Sequence, residues 1–583
     1  VTATARLLRY VREVRRGYAV GALLTVGYAL AFQLPPVFVR EVVACIEGRA
    51  PLDDVGRAIA WLLGASVLVA ILRLFSRLVL FRCAREIEFR LRNDLFAHLQ
   101  RLPQSYFATQ RTGDLMSRAV NDVNNVRLLL GMGILNLLQT PILYLGAISV
   151  MLWVDWRLTL LFLIPYPATI AIARVFGHRI HRTSLAVQES LSDLSSVVQE
   201  SASGALVVRC YGLEDRERRR FAEESDRLYD RQIDLAVVQA GMQSSLAPLL
   251  AVAQIVVLWA GGRYVTDGAL GLQDLWLFFV YSFQLSFPTF MMGWVLNAAQ
   301  RGLVGLERIG EVLDTVPAIA DRPDTVARER IRGAVGIRGL TFAYPGHEHS
   351  PALCGVDLSA APGETIGIVG PIGSGKSTLL AAIPRLLEID DGRVAIDGVD
   401  VNRLPLALLR TSIAMVPQES FLFSTTIAEN IRFGRPDATM DEVREAARRA
   451  HLLADVEDFP DGFHTLVGER GITLSGGQRQ RVALARALLL DPAILILDDA
   501  LSSVDAATEE AILLELRSAR AGRTCFLVAH RISAVRDADR IVVLEAGRVT
   551  AVGTHADLVA GNGFYARTHR RQQIEAEIEG DAA

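Results

Sequence analysis

Gly370-Pro371-Ile372-Gly373-Ser374-Gly375-Lys376-Ser377 fits the pattern G-x-x-x-x-G-K-[ST] of a loop that wraps nucleotide phosphates in backbone N–H groups. Its flanks are readable. Thr365 to Val369 is an apolar, β-branched run of buried-strand length, and Ser377-Thr378-Leu379-Leu380 opens a helical pattern, so the glycines occupy a strand-to-helix turn. The start of that helix adds donors and a favourable dipole where phosphate would lie. Lys376 is the only lysine among 61 basic residues. A compact ammonium enters such a cradle, whereas a planar guanidinium is wider and wants a two-pronged partner, so the position reads as one that rejects arginine. A chance match in a glycine-rich chain is the alternative, and the rest of the chain weighs against it.

The chain has 583 residues, too many for one domain, and 51% of them are hydrophobic. Apolar runs of about twenty residues crowd the first half, while the second half reads as ordinary α/β. A net charge of −3, with no basic domain and no aromatic-basic interleaving, gives no sign of nucleic-acid binding. Cys45, Cys83, Cys210, Cys354 and Cys525 are odd in number and scattered, which indicates neither a disulfide framework nor a zinc site. Thr2 to Gly17 is arginine-rich and runs into an apolar segment too long for a cleavable signal, so it reads as a retained amphipathic helix.

Six stretches have span length: Tyr18 to Val39, Ala58 to Phe81, Leu128 to Trp153, Trp156 to Val175, Leu246 to Val265 and Leu275 to Val295. Arginine is concentrated on one side of them, with five in the first sixteen residues, eight from Arg82 to Arg127 and ten from Arg174 to Arg231. The opposite connections hold only Arg40, Arg49, Arg57, Arg157 and Arg263, so the termini and two long loops are expected in the cytoplasm. Arg85 to His98 and Leu185 to Tyr229 keep helical periodicity, which predicts membrane helices that continue well beyond the bilayer. Thr112 to Arg118 and Ser203 to Arg209 break these runs, and each is expected to carry a short transverse helix. Within the spans Gln33, Gln139, Gln254 and Gln284 read as interhelical glue. Arg73 and Arg77 either face a cavity or snorkel to the interface. Pro35-Pro36, Pro141, Pro165, Pro167 and Pro288 mark expected bends.

The hydrophobic pattern lapses from Gly310 to Arg330, giving a membrane domain over 1–310, a linker over 311–330 and a second domain over 331–583. There, Ala493 to Leu497 reads as a second buried strand closing on Asp498, a carboxylate placed to hold Mg²⁺ through water with the Ser377 hydroxyl as direct ligand. Gln418 follows Met415-Val416-Pro417. Leu474-Ser475-Gly476-Gly477-Gln478 reads as a helix N-terminus with a serine cap and two glycines that leave backbone N–H groups open to an anion. A second anion cradle in one chain is most simply explained if it serves another molecule's nucleotide.

The order Tyr344, Gly370 to Ser377, Gln418, Leu474 to Gln478, Asp498, Ser502 to Asp505 and His530 resembles the nucleotide-binding domain of ATP-binding cassette (ABC) proteins. Six preceding spans with two long cytoplasmic loops look like the half-transporters of the exporter branch, so the likeness covers essentially the whole chain. It implies an α-helical membrane domain fused to an α/β phosphate-loop ATPase, with ATP and Mg²⁺ as ligands. It also implies a dimer with two sandwiched ATP molecules, each between the phosphate loop of one chain and the Leu-Ser-Gly-Gly-Gln of the other. Carried over residue by residue, the resemblance implies that Tyr344 stacks on adenine, that Gly370, Gly373, Ser374, Gly375 and Thr378 belong to the phosphate cradle, and that Lys376 contacts the β- and γ-phosphates. Ser377 and Asp498 would serve Mg²⁺, and Gln418 would lie between the metal and the membrane-domain contact. Ser475 and Gly477, beside Gln478, would reach the partner's γ-phosphate, and His530 would steady the γ-phosphate on its own side. The turns near Asp114 and Ala205 would be coupling helices, with Val467 to Gly471 as a cross-talk segment.

One residue departs from that pattern. The family places glutamate directly after the magnesium-site aspartate to polarise the attacking water, and this chain has Asp499. The carboxylate retreats by about 1 Å, a misplacement that can cost on the order of 100-fold in rate. Either a shifted backbone restores its reach, or the chain resembles the degenerate-site subunit of heterodimeric exporters, which binds ATP, hydrolyses it slowly and donates an intact signature to a partner carrying the glutamate. The second reading is preferred, because a homodimer would impair both sites together. The resemblance implies ATP-driven export of hydrophobic or amphiphilic compounds across the cytoplasmic membrane. A homodimeric lipid flippase, siderophore uptake and an ATP-gated regulatory subunit are the competing readings.

Overall fold

Apolar segments in hydrocarbon must satisfy their backbone internally, which favours unbroken helices. The computed structural model describes residues 3–48, 51–468, 471–501, 506–519 and 522–581. Its contacts divide the chain into two units, Val1–Phe96 with Leu115–Asp314, and Ala97–Asp114 with Thr315–Ala583. In chain order the helices down to Asp314 are α1 (Ala3–Glu13), α2 (Arg15–Ala31), α3 (Leu34–Glu47), α4 (Leu52–Leu99), α5 (Gln104–Thr109), α6 (Thr112–Ser117), α7 (Val123–Leu128), α8 (Ile134–Val154), α9 (Trp156–Leu163), α10 (Tyr166–Ser203), α11 (Ala205–Cys210), α12 (Glu214–Thr266), α13 (Leu272–Gln284) and α14 (Ser286–Asp314). Wider π turns at Arg118–Asp122 and Leu129–Gly133 link α6 to α8.

Among the described residues, Arg15–Glu47, Leu52–Leu99, Thr112–Val154 and Trp156–Ser203 are long and apolar enough to cross a membrane. They contain the first four expected spans, and the other two fall on α12 and on α13 with α14. With 48 residues, α4 is about 72 Å long at 1.5 Å per residue, far more than the roughly 30 Å of hydrocarbon. Helix breaks fall at Pro35 and Pro36, which open α3, and at Pro165, which precedes α10, whereas α8 runs through Pro141 without ending. Gln33, at the α2–α3 break, donates from its side-chain amide to the Leu143 carbonyl, as interhelical glue would, while its backbone carbonyl accepts from the Tyr281 hydroxyl. Arg73 is exposed and Arg77 half-buried. Inside, Met151, Phe162, Val257, Phe278 and Tyr281 form a core, while Trp61, Leu63 and Leu74 stand outward, as lipid-facing residues do. The amphipathic α1 is pinned by Arg6 to Asp314 at 2.6 Å and by Tyr10 to Asp94 at 2.6 Å.

Two expectations shift. The isolated short helix of the first loop is α5, because Pro103 ends the α4 run and opens it, whereas Thr112–Ser117 begins the next long helical run. The second lies at Ala205–Cys210, as its glycine break suggested. The segment expected as a linker is helical to Asp314 and then lies along the second unit: the Ala320 carbonyl accepts from Arg385, Asp321 accepts from the Leu406 N–H, and Arg322 pairs with Asp391.

That unit is built on a six-stranded sheet in the order β10-β9-β3-β8-β7-β6, whose strands are β3 (Thr365–Val369), β6 (Ile413–Val416), β7 (Ile494–Asp498), β8 (Thr524–Val528), β9 (Arg540–Glu545) and β10 (Arg548–Gly553). All pairs are parallel except β9–β10. A four-stranded antiparallel sheet comprises β2 (Leu353–Ala360), β1 (Val335–Phe342), β4 (Val394–Ile396) and β5 (Val399–Asp400). The helices are α15 (Lys376–Ala382), α16 (Leu406–Ser412), α17 (Ile427–Arg432), α18 (Met440–Arg449), α19 (Leu453–Glu457), α20 (Gly476–Leu489), α21 (Ala506–Ala519), α22 (Ile532–Val535), α23 (His555–Ala560) and α24 (Phe564–Asp581). Strands β3, β7 and β8 are buried along their whole length, which explains their unbroken apolar runs. Ile494, Ile496 and Phe526 enter the core on one face, and Leu495, Leu497 and Leu527 that on the other.

Candidate nucleotide site

Ligands of open parallel sheets gather at the carboxyl ends of the strands. Register puts Ile368 of β3 and Asp498 of β7 both opposite Val528 of β8, so these three strands end together. From those ends hang the Gly370 loop, Asp498 with Asp499, and His530; Gln418 stands two residues beyond β6. Tyr344, Gly373, Ser374, Gly375, Lys376, Ser377, Thr378, Gln418, Asp498, Asp499 and His530 line one cavity of about 370 Å³.

The loop closes tightly on its surroundings. A Cβ on Gly370 would lie 2.0 Å from the Leu544 carbonyl oxygen, and one on Gly375, whose φ is +98°, would lie 2.4 Å from that of Ala352. Gly375→Ala is therefore expected to distort the cradle and weaken ATP binding by about tenfold or more, since both sterics and a left-handed backbone oppose a side chain. Titration with a fluorescent ATP analogue checks this.

Lys376 is buried and donates to the Gly370 carbonyl at 2.9 Å and to that of Pro371 at 2.8 Å. Burial lowers its pKa, and the Asp498 and Asp499 charges oppose that. Burial raises the Asp498 carboxyl above its ordinary value; the Ser377 hydrogen bond opposes the rise, and the Asp499 charge adds to it. Two carboxylates thus face one ammonium, a set that a divalent cation would relieve. Among the described residues the buried Ser374 hydroxyl has no partner, as suits a loop built around phosphate oxygens. Among the described residues no three His, Cys, Asp or Glu side chains are placed to hold a metal unaided. A hydroxyl, an amide and a carboxylate, Ser377, Gln418 and Asp498, instead suit Mg²⁺, which takes few protein ligands beside phosphate and water. Tyr344 is 43% exposed at this cavity, its hydroxyl 3.1 Å from that of Thr378.

Asp499 is buried, with a left-handed φ of +50°, its N–H donating to the Val528 carbonyl at 3.0 Å. Its carboxylate lies 3.9 Å from His530 Nε2. Sequence patterning held no hint of this backbone, although aspartate is among the few residues that accept it readily.

Ser475, Gly477 and Gln478 do not line this cavity. They open α20, where Ser475 and Gln478 form a reciprocal cap: the Ser475 hydroxyl accepts from the Gln478 N–H at 3.2 Å, and Gln478 Oε1 from the Ser475 N–H at 3.0 Å. Sequence reasoning missed Asp455, which accepts from Gln478 Nε2 at 3.0 Å and pairs with Arg481 at 2.8 Å. No spacing rule signals it, because it sits on a different helix. Ser502 to Asp505, and Glu469 and Arg470 of the cross-talk segment, lie outside the described residues.

A helical membrane unit joined to a parallel-sheet unit with a phosphate loop, a magnesium-type carboxylate and a histidine at its strand ends defines an ATP-driven membrane transporter. Comparison with known proteins places it more narrowly. The profile of the ABC transporter transmembrane region matches residues 19–289, and that of the ABC transporter matches 353–502. The multidrug resistance-like ATP-binding protein MdlA of Escherichia coli is 34% identical, over 99% of this chain and 97% of its own. The ATP-dependent lipid A-core flippase of Chromohalobacter salexigens is 34% identical over 98% of each. The structure of a bacterial Atm1-family ABC exporter with ATP bound superimposes with a TM-score of 0.79 and 28% identity, over 96% of this chain and 98% of that one. The chain belongs to the ABC transporters. It is a multi-pass membrane protein of the exporter type, an ATPase coupled to transport, from a family that acts as dimers.

Proposed function

We propose that the chain is one half of a heterodimeric exporter of hydrophobic or amphiphilic compounds, drugs or lipids, and that its own ATP site binds nucleotide but hydrolyses it slowly. The observation that carries the reading is Asp499, which stands after Asp498 at the cavity wall with one methylene fewer than the family's glutamate. Two features support a two-chain machine. The capped signature at Ser475 to Gln478 lies outside the chain's own cavity, ready for another molecule's phosphate. The short α11 and the Tyr211 that caps its end expose Leu206, Val207 and Tyr211, the apolar surface a coupling helix would bury on a partner. In this reading six spans leave both termini and the second unit in the cytoplasm.

In its own site, Lys376 and the loop N–H groups hold the phosphates, Tyr344 stacks on the base, and Ser377, Gln418 and Asp498 hold Mg²⁺. When bound, that ion would neutralise phosphate charge. His530 steadies the terminal phosphate, and Asp499 accepts the proton of water from a retracted position. Ser475 and Gly477 complete the partner's site. Relatives named for multidrug resistance and for lipid A-core flipping bracket the substrate class, and the latter keeps a homodimeric flippase as the second reading.

Extrusion of a fluorescent amphiphile and translocation of headgroup-labelled lipid, each with and without a co-expressed half-transporter carrying the glutamate, separate the two. The proposal expects transport only with the partner. Full transport by this chain alone would contradict it.

A further inference from the structure

The backbone that carries His530 is held from outside the cavity. Arg531 is extended, with φ −92° and ψ 129°, and precedes α22 without capping it. Around an extended residue, the preceding carbonyl and the following N–H point to the same side. Gln572 of α24 meets both: its Nε2 donates to the His530 carbonyl at 2.8 Å, and its Oε1 accepts from the Ile532 N–H at 2.8 Å. A primary amide presents one donor and one acceptor in a fixed plane, which matches this pair. The Arg531 side chain is paired with the buried Glu509 of α21. The first turn of α24 is itself anchored, with Tyr565 and Ala566 buried and the Tyr565 hydroxyl 2.7 Å from His555 Nδ1.

We propose that Gln572 is a positioning residue for His530: by bracketing the backbone on either side of Arg531 it sets how far the imidazole reaches into the nucleotide cavity, and so the rate of ATP hydrolysis. The proposal rests on the reading of His530 as the group that steadies the terminal phosphate. It gives the C-terminal helix a part in the chemistry that no side chain of its own reaches. The competing account is that Gln572 only caps α22, since Oε1 satisfies an N–H at the helix start that has no partner within the helix.

The test uses the full-length chain in lipid nanodiscs with Mg-ATP, comparing His530→Ala, Gln572→Ala, Gln572→Glu and the Gln572→Ala/His530→Ala double variant. Gln572→Ala is expected to lower kcat about tenfold, as a misplaced catalytic group does, with KM for ATP within about twofold. In the His530→Ala background the same change is expected to have no further effect, because nothing remains to be positioned. Gln572→Glu keeps an acceptor for the Ile532 N–H and suits a helix start, so the capping account expects wild-type kcat and stability from it. Positioning expects it to lose kcat as Gln572→Ala does, because the donor to the His530 carbonyl is gone, while its unfolding midpoint stays near wild type. Wild-type kcat in Gln572→Glu, or an equal fold loss from Gln572→Ala in both backgrounds, overturns the proposal. Unchanged kcat in His530→Ala alone instead overturns the reading of His530 on which it rests.

Discussion

Asp499→Glu is expected to raise the ATP turnover of the purified chain by about 100-fold, since about 1 Å of reach at the reacting centre is worth a factor of that order. The backbone at this position is held by its neighbours. The Asp499 amide is bonded to the Val528 carbonyl, and Asp498 beside it is fixed by register against Val528. The side chain is buried against the cavity wall with His530 opposite. On the proposed reading, side-chain length is the variable that would separate this site from a fast one. Steady-state ATPase rates of the two chains at saturating Mg-ATP check it. Equal rates would mean that reach is not limiting.

Lys376→Arg is expected to weaken ATP binding about as much as Lys376→Ala, each by about 100-fold, because a charge-assisted contact in a buried site is lost in both. The ammonium is turned onto the Gly370 and Pro371 carbonyls within a loop packed against Leu544 and Ala352. A guanidinium is wider than the ammonium and does not enter a loop closed so tightly on its surroundings. Equilibrium binding of radiolabelled ATP decides the matter, and arginine binding as well as lysine would remove the steric reading of this position.

The parts of the site written in local chemistry were legible in the chain itself. Glycine spacing, the lone lysine, and two strand-length apolar runs ending on Gly370 and Asp498 led to the cavity because buried parallel strands carry unbroken apolar runs and end at the ligand. The serine cap of α20 was readable for the same reason: caps are local. The glycine beside Thr112 reads as a break, but Pro103 is the stronger one, so the isolated short helix lies earlier, at α5. The packing of the 315–330 segment onto the second unit was hidden, since arginine pairs such as Arg322 with Asp391 join residues far apart in sequence. So was the hold of Gln572 on His530, which depends on two segments meeting 42 residues apart.

The central claim is that this chain's own site holds ATP without using it promptly. Single-turnover hydrolysis of radiolabelled ATP by the purified wild-type chain in nanodiscs, run beside Asp499→Glu, tests it most directly. The account predicts that both bind ATP with similar affinity, and that most of the wild-type chain's ATP is still intact when Asp499→Glu has hydrolysed most of its own. A wild-type chain that consumes its bound ATP as fast as Asp499→Glu would contradict it.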